Sequence, residues 1–315
     1  MSLSFGSESK ALYYLNAALA ELIPPSYWAR ERDTLFRKLG DRTLADLQPR
    51  VDYYNKLAVA QQLPSTTPRL DSLKKGKRGS VYYYDARAFS RSFPGHFRAE
   101  YRFGDVTAVP PVPAFLKSRP IAGDNANSVV LKLNRIRHFR FVNDPVPLHA
   151  KMDQLIGMAA VNQENRRDFY RLYFDDPRCI LGQINRNTAH DQWYRKKISI
   201  RQHLNYRYIL CLEGYDVASN LKWVMSSNSL AVMPEPTYET WFMEGTLKPG
   251  VHYVPIRKDF SDLHAQLDHY SSDPALVREM VAQANAYTKQ FMDADRENAI
   301  AMMVMEKYFR LTGQY

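Results

Sequence analysis

The run Tyr206-Arg-Tyr-Ile-Leu-Cys-Leu-Glu-Gly-Tyr-Asp-Val-Ala-Ser-Asn-Leu-Lys222-Trp-Val-Met-Ser-Ser-Asn-Ser-Leu-Ala-Val-Met-Pro234 decides the fold class. Tyr208 to Leu212 is apolar at every position, as a strand covered on both faces of a parallel sheet must be. Gly214 then permits a sharp turn without a β carbon. Asp216 or Ser219 is placed to cap a following helix, and Leu230 to Met233 reads as the next parallel strand. About a dozen helical residues between the two strands suffice for the crossover. A helix start of this kind presents unpartnered backbone N–H groups and the positive end of the macrodipole, the physical basis of a phosphate cradle, and Lys222 one turn inside would add a charge. Strand, glycine turn, helix and strand also occur for purely structural ends, so the pattern alone leaves both readings open.

The rest of the chain gives that unit a setting. At 315 residues it is long enough for two domains of moderate size. Its net charge of +10 calls for an anionic partner such as a nucleotide, a phosphorylated glycolipid, nucleic acid or an acidic membrane surface. The cations come in scattered groups: Lys74, Lys75, Lys77 and Arg78; Arg135, Arg137 and Arg140; Arg166, Arg167 and Arg171; Arg195, Lys196 and Lys197. The first group reads as an exposed loop or hairpin tip, and most of the others as solvated faces. Cys179 and Cys211 each sit in an apolar run and are expected to be buried thiols, since two such residues build neither a disulfide framework nor a zinc site. No signal-peptide arrangement and no membrane-spanning apolar stretch is present, so the expectation is a soluble cytoplasmic protein, with reversible contact to an anionic inner-membrane surface as a hypothesis.

Residues 9–23 repeat apolar positions at helical spacing up to Pro24-Pro25, which predicts a core helix, with a membrane-surface helix as the alternative. Asp46 to Leu63 reads as a helix, Ser80 to Tyr84 as a strand, and Val129 to Phe141 as containing another strand. Between Gly104 and Pro120 clustered prolines predict an irregular connection, and Asp144-Pro-Val-Pro147 a hinge. Beyond it strands and helices alternate: strand 154–160, helix 164–174, strand 179–184, helix 199–204, the 206–234 unit, strand 251–255 and helix 263–270. Alternation of this kind implies a parallel sheet flanked by helices. Residues 273–311 read as two or three helices.

Two residues stand out chemically. Asp105 follows Gly104 at the entrance to the proline-rich connection, where a loop carboxylate near a cleft could deprotonate a hydroxyl, although an ordinary turn aspartate fits as well. Arg166 lies in the first turns of a helix that follows a strand, the position from which a guanidinium reaches over strand ends to a phosphate or pairs with a surface acid. Asp293-Ala-Asp295 has the look of a metal-binding acidic motif but falls in a helical stretch whose i and i+2 positions face apart, and the dispersed histidines, among them His190 and His203, read as structural; no metal is expected. No P-loop, Gly-x-Gly-x-x-Gly or Gly-x-Ser-x-Gly motif occurs, against the usual nucleotide hydrolases, dehydrogenases and esterases.

With these residues in view the chain resembles glycosyltransferase family 90, the bacterial lipopolysaccharide-modifying enzymes related to protein O-glucosyltransferases and capsule xylosyltransferases. Gly104-Asp-Val-Thr with Pro113-Ala-Phe-Leu-Lys-Ser118 is similar to the family's Gly-Asp-x-Pro turn and its downstream segment, and Gly157-Met-Ala-Ala-Val-Asn-Gln-Glu-Asn-Arg166 to its donor loop. The 206–234 run, and Val251-His-Tyr-Val-Pro-Ile with Asp259-Phe-Ser-Asp-Leu263, carry the rest, and the likeness is clearest from Asp105 to Phe260. Leu155-Ile-Gly-Met lacks an arginine and a serine of the family pattern, and Leu221 stands where an arginine follows the phosphate turn. The resemblance implies a GT-B fold, two Rossmann-like domains facing a cleft with a C-terminal helix crossing back, divided here as 1–145, 146–285 and 286–315.

It implies an inverting, metal-independent transferase that moves a sugar from a nucleotide-sugar, a UDP-sugar first, to a lipopolysaccharide core or related glycan. Asp105 would be the base and Arg166 the diphosphate contact, helped by Gly214, Ser219, Asn220 and Lys222, while Glu239, after a strand and a proline, would accept the ribose hydroxyls or be a surface acid. A nucleic-acid-binding α/β protein and a phosphotransferase on a similar fold are the alternatives, the first lacking any reader motif.

Overall fold

A computed structural model describes residues 9–76, 80–186 and 188–315, with only the backbone of 188–190. Lys77 and Arg78 of the expected basic tip, and the side chain of His190, lie outside the described residues. The chain divides into two compact units, one of residues 1–140, 238–243 and 291–315 and the other of 141–237 and 244–290.

The first unit begins with helices α1 (Lys10–Ala20), α2 (Pro25–Tyr54) and α3 (Ser80–Ser90), then strands β1 (Glu100–Arg102), β2 (Ala114–Leu116), β3 (Ser118–Pro120) and β4 (Ser128–Val130), then the short α4 (Arg135–His138). Proline at its first position starts α2, and Gly40, at φ 73°, breaks its line. The helix expected over 46–63 is the second half of α2 and stops at Tyr54, where Asn55 leaves the helical region and donates to the Val304 carbonyl. The strand expected at Ser80 to Tyr84 is helical instead. Tyr82, Asp85, Ala86 and Phe89 are buried at three- and four-residue spacing, so packing overrides the β preference of three consecutive tyrosines. Strands β1, β2 and β4 form a parallel sheet in the order β1-β2-β4, so the connection expected to be irregular contains the central strand of that sheet.

The second unit is built on β5 (Met152–Ala159), α5 (Glu164–Tyr173), β6 (Cys179–Gln183), α6 (Ile200–His203), β7 (Tyr206–Leu210), α7 (Leu221–Met225) and β8 (Leu230–Met233). The chain next gives β9 (Tyr238–Thr240) to the first unit, and returns for β10 (Val254–Pro255), α8 (Leu263–Ser272) and α9 (Pro274–Lys289). Every pairing in the five-stranded sheet is parallel, in the order β10-β8-β7-β5-β6. Leu155, Tyr208, Leu210, Val232 and Val254 pack with Phe169, Leu263, Leu267, Val277 and Met280 in one core, which is why the strands read as unbroken apolar runs. The expected hinge is pinned: Asp144 accepts from Lys151 at 2.8 Å and from the Asn228 amide at 2.9 Å.

The last helix, α10 (Ala294–Leu311), packs on α2 and α3. Asp293 caps it by accepting from the amides of Asp295 and Arg296, and Asp295 pairs with Lys38, so both acids of the Asp-Ala-Asp motif are engaged in holding this helix. In its first turn the buried Glu297 accepts from Arg50 at 2.6 Å, Lys132 at 2.8 Å and the Trp241 indole at 2.7 Å. Burial pushes the Glu297 carboxyl up, but Lys132 and Arg50 outweigh it and hold it below the ordinary carboxylate range. No helix of the described residues is long and apolar enough to cross a membrane.

Candidate active site

In the second unit β5 leads through α5 to β6 at one edge, and the chain then returns to place β7 on the other side of β5 and runs outward through β8 to β10. The strand order therefore reverses between β5 and β7, the topological switch point beyond whose strand ends open α/β sheets bind ligands.

Arg166 occupies that point. Its Nη1 donates to the Ala160 carbonyl at 2.8 Å just past β5, while Nη2 and Nε donate to the carbonyls of Leu212 at 2.8 Å and Glu213 at 3.1 Å, just past β7. Three acceptors from two strand ends fix the plane of a half-buried guanidinium, a cation set for an anionic ligand at little cost in side-chain freedom. The neighbour Asn165 locks the arrangement, accepting from the Arg166 amide at 2.8 Å and donating to the Glu213 carbonyl at 3.1 Å. Tyr170, one turn on, donates to the carbonyls of Gly157 and Gly182 and so ties α5 to β5 and β6. Arg167 pairs instead with Glu164 on the exposed side of the helix.

Gly214 serves this cation rather than a left-handed turn. Its φ is not positive, and a β carbon built on it would stand 3.2 Å from Arg166 Nη2. The turn that follows departs from expectation. Neither Asp216 nor Ser219 caps a helix; α7 starts after Asn220, whose Nδ2 donates to the Leu210 carbonyl, and is only five residues long. So short a helix carries little macrodipole, which weakens the cradle read from the sequence. Lys222 is fully buried in an ion pair with Glu244, so its charge is matched inside the unit instead of standing at the helix start. Glu239 is the largest correction. It lies on β9 opposite Arg119 of β3, in the first unit, buried and accepting from Arg119 Nε at 2.7 Å and from the Tyr53 hydroxyl. Both carboxylate oxygens are thus engaged within the first unit, which leaves the expected ribose contact without support.

Asp105 stands in the first unit on a turn that Gly104 opens at φ 112°. Lys117, buried between β2 and β3, reaches Asp105 Oδ1 at 2.5 Å, and the Ser118 hydroxyl donates to the Val106 carbonyl at 3.2 Å. Two residues of the Pro113–Ser118 segment thus clamp the Gly-Asp turn. Asp105 keeps 30% of its side chain exposed, and among the described residues no partner holds Oδ2. Sequence pattern alone gives no task to Lys117, nor to Asn165 and Glu213 as braces of Arg166. Their adjacency to the motif residues is the signal that could have pointed to them.

A family model, Glycosyl transferase family 90, matches residues 157–314, from within β5 through Arg166 and Gly214 to the C-terminal helices, well past Phe260. O-glucosyltransferase LpsA of Dichelobacter nodosus is 41% identical over 305 residues, 96% of this chain and 96% of that protein. Protein O-glucosyltransferase 3 of Rattus norvegicus is 25% identical over 104 residues, 33% of this chain and 20% of its own length. An uncharacterized protein, 035R, of Invertebrate iridescent virus 3 is 28% identical over 101 residues, 31% of this chain and 9% of the viral one.

Proposed function

The chain belongs to glycosyltransferase family 90, and from that premise we propose that it transfers a sugar from a nucleotide-sugar to a hydroxyl of a lipopolysaccharide core or related glycan, with inversion and without a metal. The observation that carries the reading is the guanidinium of Arg166, held by carbonyls of both strand ends at the switch point of a parallel sheet. In this proposal the donor diphosphate lies over that cation. Lys222 and Glu239 are committed elsewhere, so diphosphate recognition falls mainly on Arg166, with the half-exposed turn at Ser219 and Asn220 offering backbone groups.

Asp105 takes the acceptor proton on its Oδ2 while the acceptor oxygen attacks the anomeric carbon from the face opposite the diphosphate. The bond from that carbon to the diphosphate oxygen breaks, and the charge gathering on the leaving group is met by Arg166. A GT-B fold is part of the proposal. UDP-sugars lead the donor panel, and UDP-glucose leads the UDP-sugars because the relatives' names specify O-glucosyl transfer.

The test is release of free nucleotide from UDP-, GDP- and CMP-sugars by the purified protein, with and without EDTA, beside Arg166→Ala. Turnover of one UDP-sugar, unchanged by EDTA and lost in Arg166→Ala, is expected. If no donor is turned over and none raises the melting temperature, the donor site is not at Arg166. A product heavier by phosphate instead of sugar would make the protein a phosphotransferase.

A further inference from the structure

Helix α1 is turned the wrong way for a core helix. Its inward arc holds a single large side chain, Tyr13, beside Asn16, Ala17 and Ala20, and Tyr13 is buried and anchored by donating to Asp85 at 2.8 Å. Its large apolar side chains face outward: Leu12 is 47% exposed, Leu15 56%, Leu19 46% and Leu22, just past the helix end, 81%. At about 100° per residue these four fall within an arc of roughly 80°. Ala11, Tyr14 and Ala18 widen the arc, so the exposed surface between Lys10 and Glu21 carries no charged side chain.

The surroundings are cationic. Lys10 is exposed at one end of the stripe, and Lys74 and Lys75 are exposed beside it. Lys75 Nζ lies 5.6 Å from the centre of the Tyr84 ring, and Tyr84 meets Tyr14 edge to face at 6.0 Å, so the lysine stands one aromatic pair away from the leucines. Glu21, the acid at the far end, is held by Arg87 at 3.5 Å and by the Tyr83 hydroxyl.

We infer that this face docks on an anionic lipid bilayer, the leucines entering the interface while Lys10, Lys74 and Lys75 meet headgroup phosphates. A second copy of the chain fits the face poorly. The helix has 11 residues, giving a footprint on the order of 200 Å², against the about 800 Å² per partner that a stable dimer buries. It also falls short of the three or four heptads of a coiled coil and carries no flanking charge pairs along its exposed side. A short apolar stripe beside lysines, on a chain of net charge +10, is what an anionic interface retains, because the apolar contact and the charge attraction act together. The inference gives the membrane contact expected from the charge a particular surface, and it does not depend on the transfer reaction.

The experiment is flotation of the full chain with vesicles of phosphatidylcholine containing phosphatidylglycerol, and with phosphatidylcholine alone, at low and high salt. The protein should float with the anionic vesicles at low salt and less at high salt. Leu15→Asp with Leu19→Asp, and separately Lys74→Ala with Lys75→Ala, should each cut the bound fraction about tenfold at an unchanged melting temperature. Leu15→Met with Leu19→Met should keep it, and Leu15→Ser with Leu19→Ser should lose it without adding charge. The inference is overturned if the parent protein does not bind anionic vesicles, if both leucine-to-polar pairs bind as the parent does, or if sedimentation finds a dimer that these pairs dissolve.

Discussion

Gly214 leaves room for the guanidinium of Arg166 by lacking a β carbon, which would stand only 3.2 Å from Nη2. The contact makes a glycine outside the helix into a determinant of where the proposed donor cation sits. Because the same guanidinium is held by three carbonyls, it cannot yield in one direction without loosening a hydrogen bond in another.

Gly214→Ala should therefore raise the donor KM about tenfold, the equivalent of about 1.4 kcal/mol, while the melting temperature barely moves. Arg166→Lys should do at least as much, since an ammonium cannot span three carbonyls. Steady-state kinetics with the donor found in the nucleotide panel would decide. A Gly214→Ala enzyme with parental KM would detach Arg166 from donor binding.

For Asp105 the expectation separates proton transfer from binding. Asp105→Asn should lower transfer to an acceptor glycan by about 10²- to 10³-fold and leave donor affinity as it was. Lys117→Met should release the turn that Lys117 clamps and lower kcat by a smaller factor, with little loss of stability, because the carboxylate left behind is 30% exposed and can turn to water. Equal loss of donor binding in both variants would assign the pair to folding and not to chemistry.

The ion pair of Lys222 and Glu244 is enclosed, which sets up a different signature. Lys222→Met should cost about 3 to 5 kcal/mol by leaving a buried carboxylate uncompensated, whereas Lys222→Met with Glu244→Leu should recover much of that in a denaturant melt. Donor KM should hold in every variant that stays folded. A raised KM at unchanged stability would return Lys222 to the donor site.

Glu297 gives a pH dependence with a definite sign. Its folded pKa lies below the ordinary value because Lys132 and Arg50 outweigh the effect of burial, so it contributes stability above the unfolded pKa of about 4.3 and loses that contribution as pH falls through the folded value. Glu297→Gln should thus lower stability by about 3 kcal/mol at neutral pH, and the gap from the parent should narrow below about pH 4. Thermal melts from neutral to acid pH would show it, and a gap that widened toward acid would contradict the assignment.

Burial pushes the Cys179 thiol up to about 12 and raises Cys211 as well. Both should resist a thiol-exchange reagent in the native state and react as two equivalents once unfolded, read by the absorbance of the released thiolate. Prompt reaction of either in the native protein would mean that its strand opens locally.

The five-stranded sheet was legible because its strands are short, apolar on both faces and separated by helices, and such runs have few ways to fold. Sequence placed the strand Leu230 to Met233 to the residue and came within two residues of the ends of β5, β6 and α5. The same local reasoning failed at Ser80 to Tyr84, where tyrosines that favour strands on their own form a helix because one side of that helix is needed inside. The outward leucines of α1 escaped it too, since periodicity gives the arc on which apolar residues lie and not the direction in which that arc points.

The sequence by itself determined the parallel α/β character of the second unit, the two buried thiols, and Asp105 and Arg166 as the residues to ask about, because these follow from spacing and from a few local motifs. Tertiary structure alone decided what each charge is used for. Lys222 and Glu239 look as available in the sequence as Arg166 does, yet one is matched to Glu244 within the second unit and the other to Arg119 in the first, while Arg166 is held by main-chain carbonyls at two strand ends. Which carboxylate meets which cation depends on contacts between residues such as Arg119 and Glu239, far apart along the chain, and the cost of burying a charge unpaired makes those contacts, rather than local pattern, the deciding term.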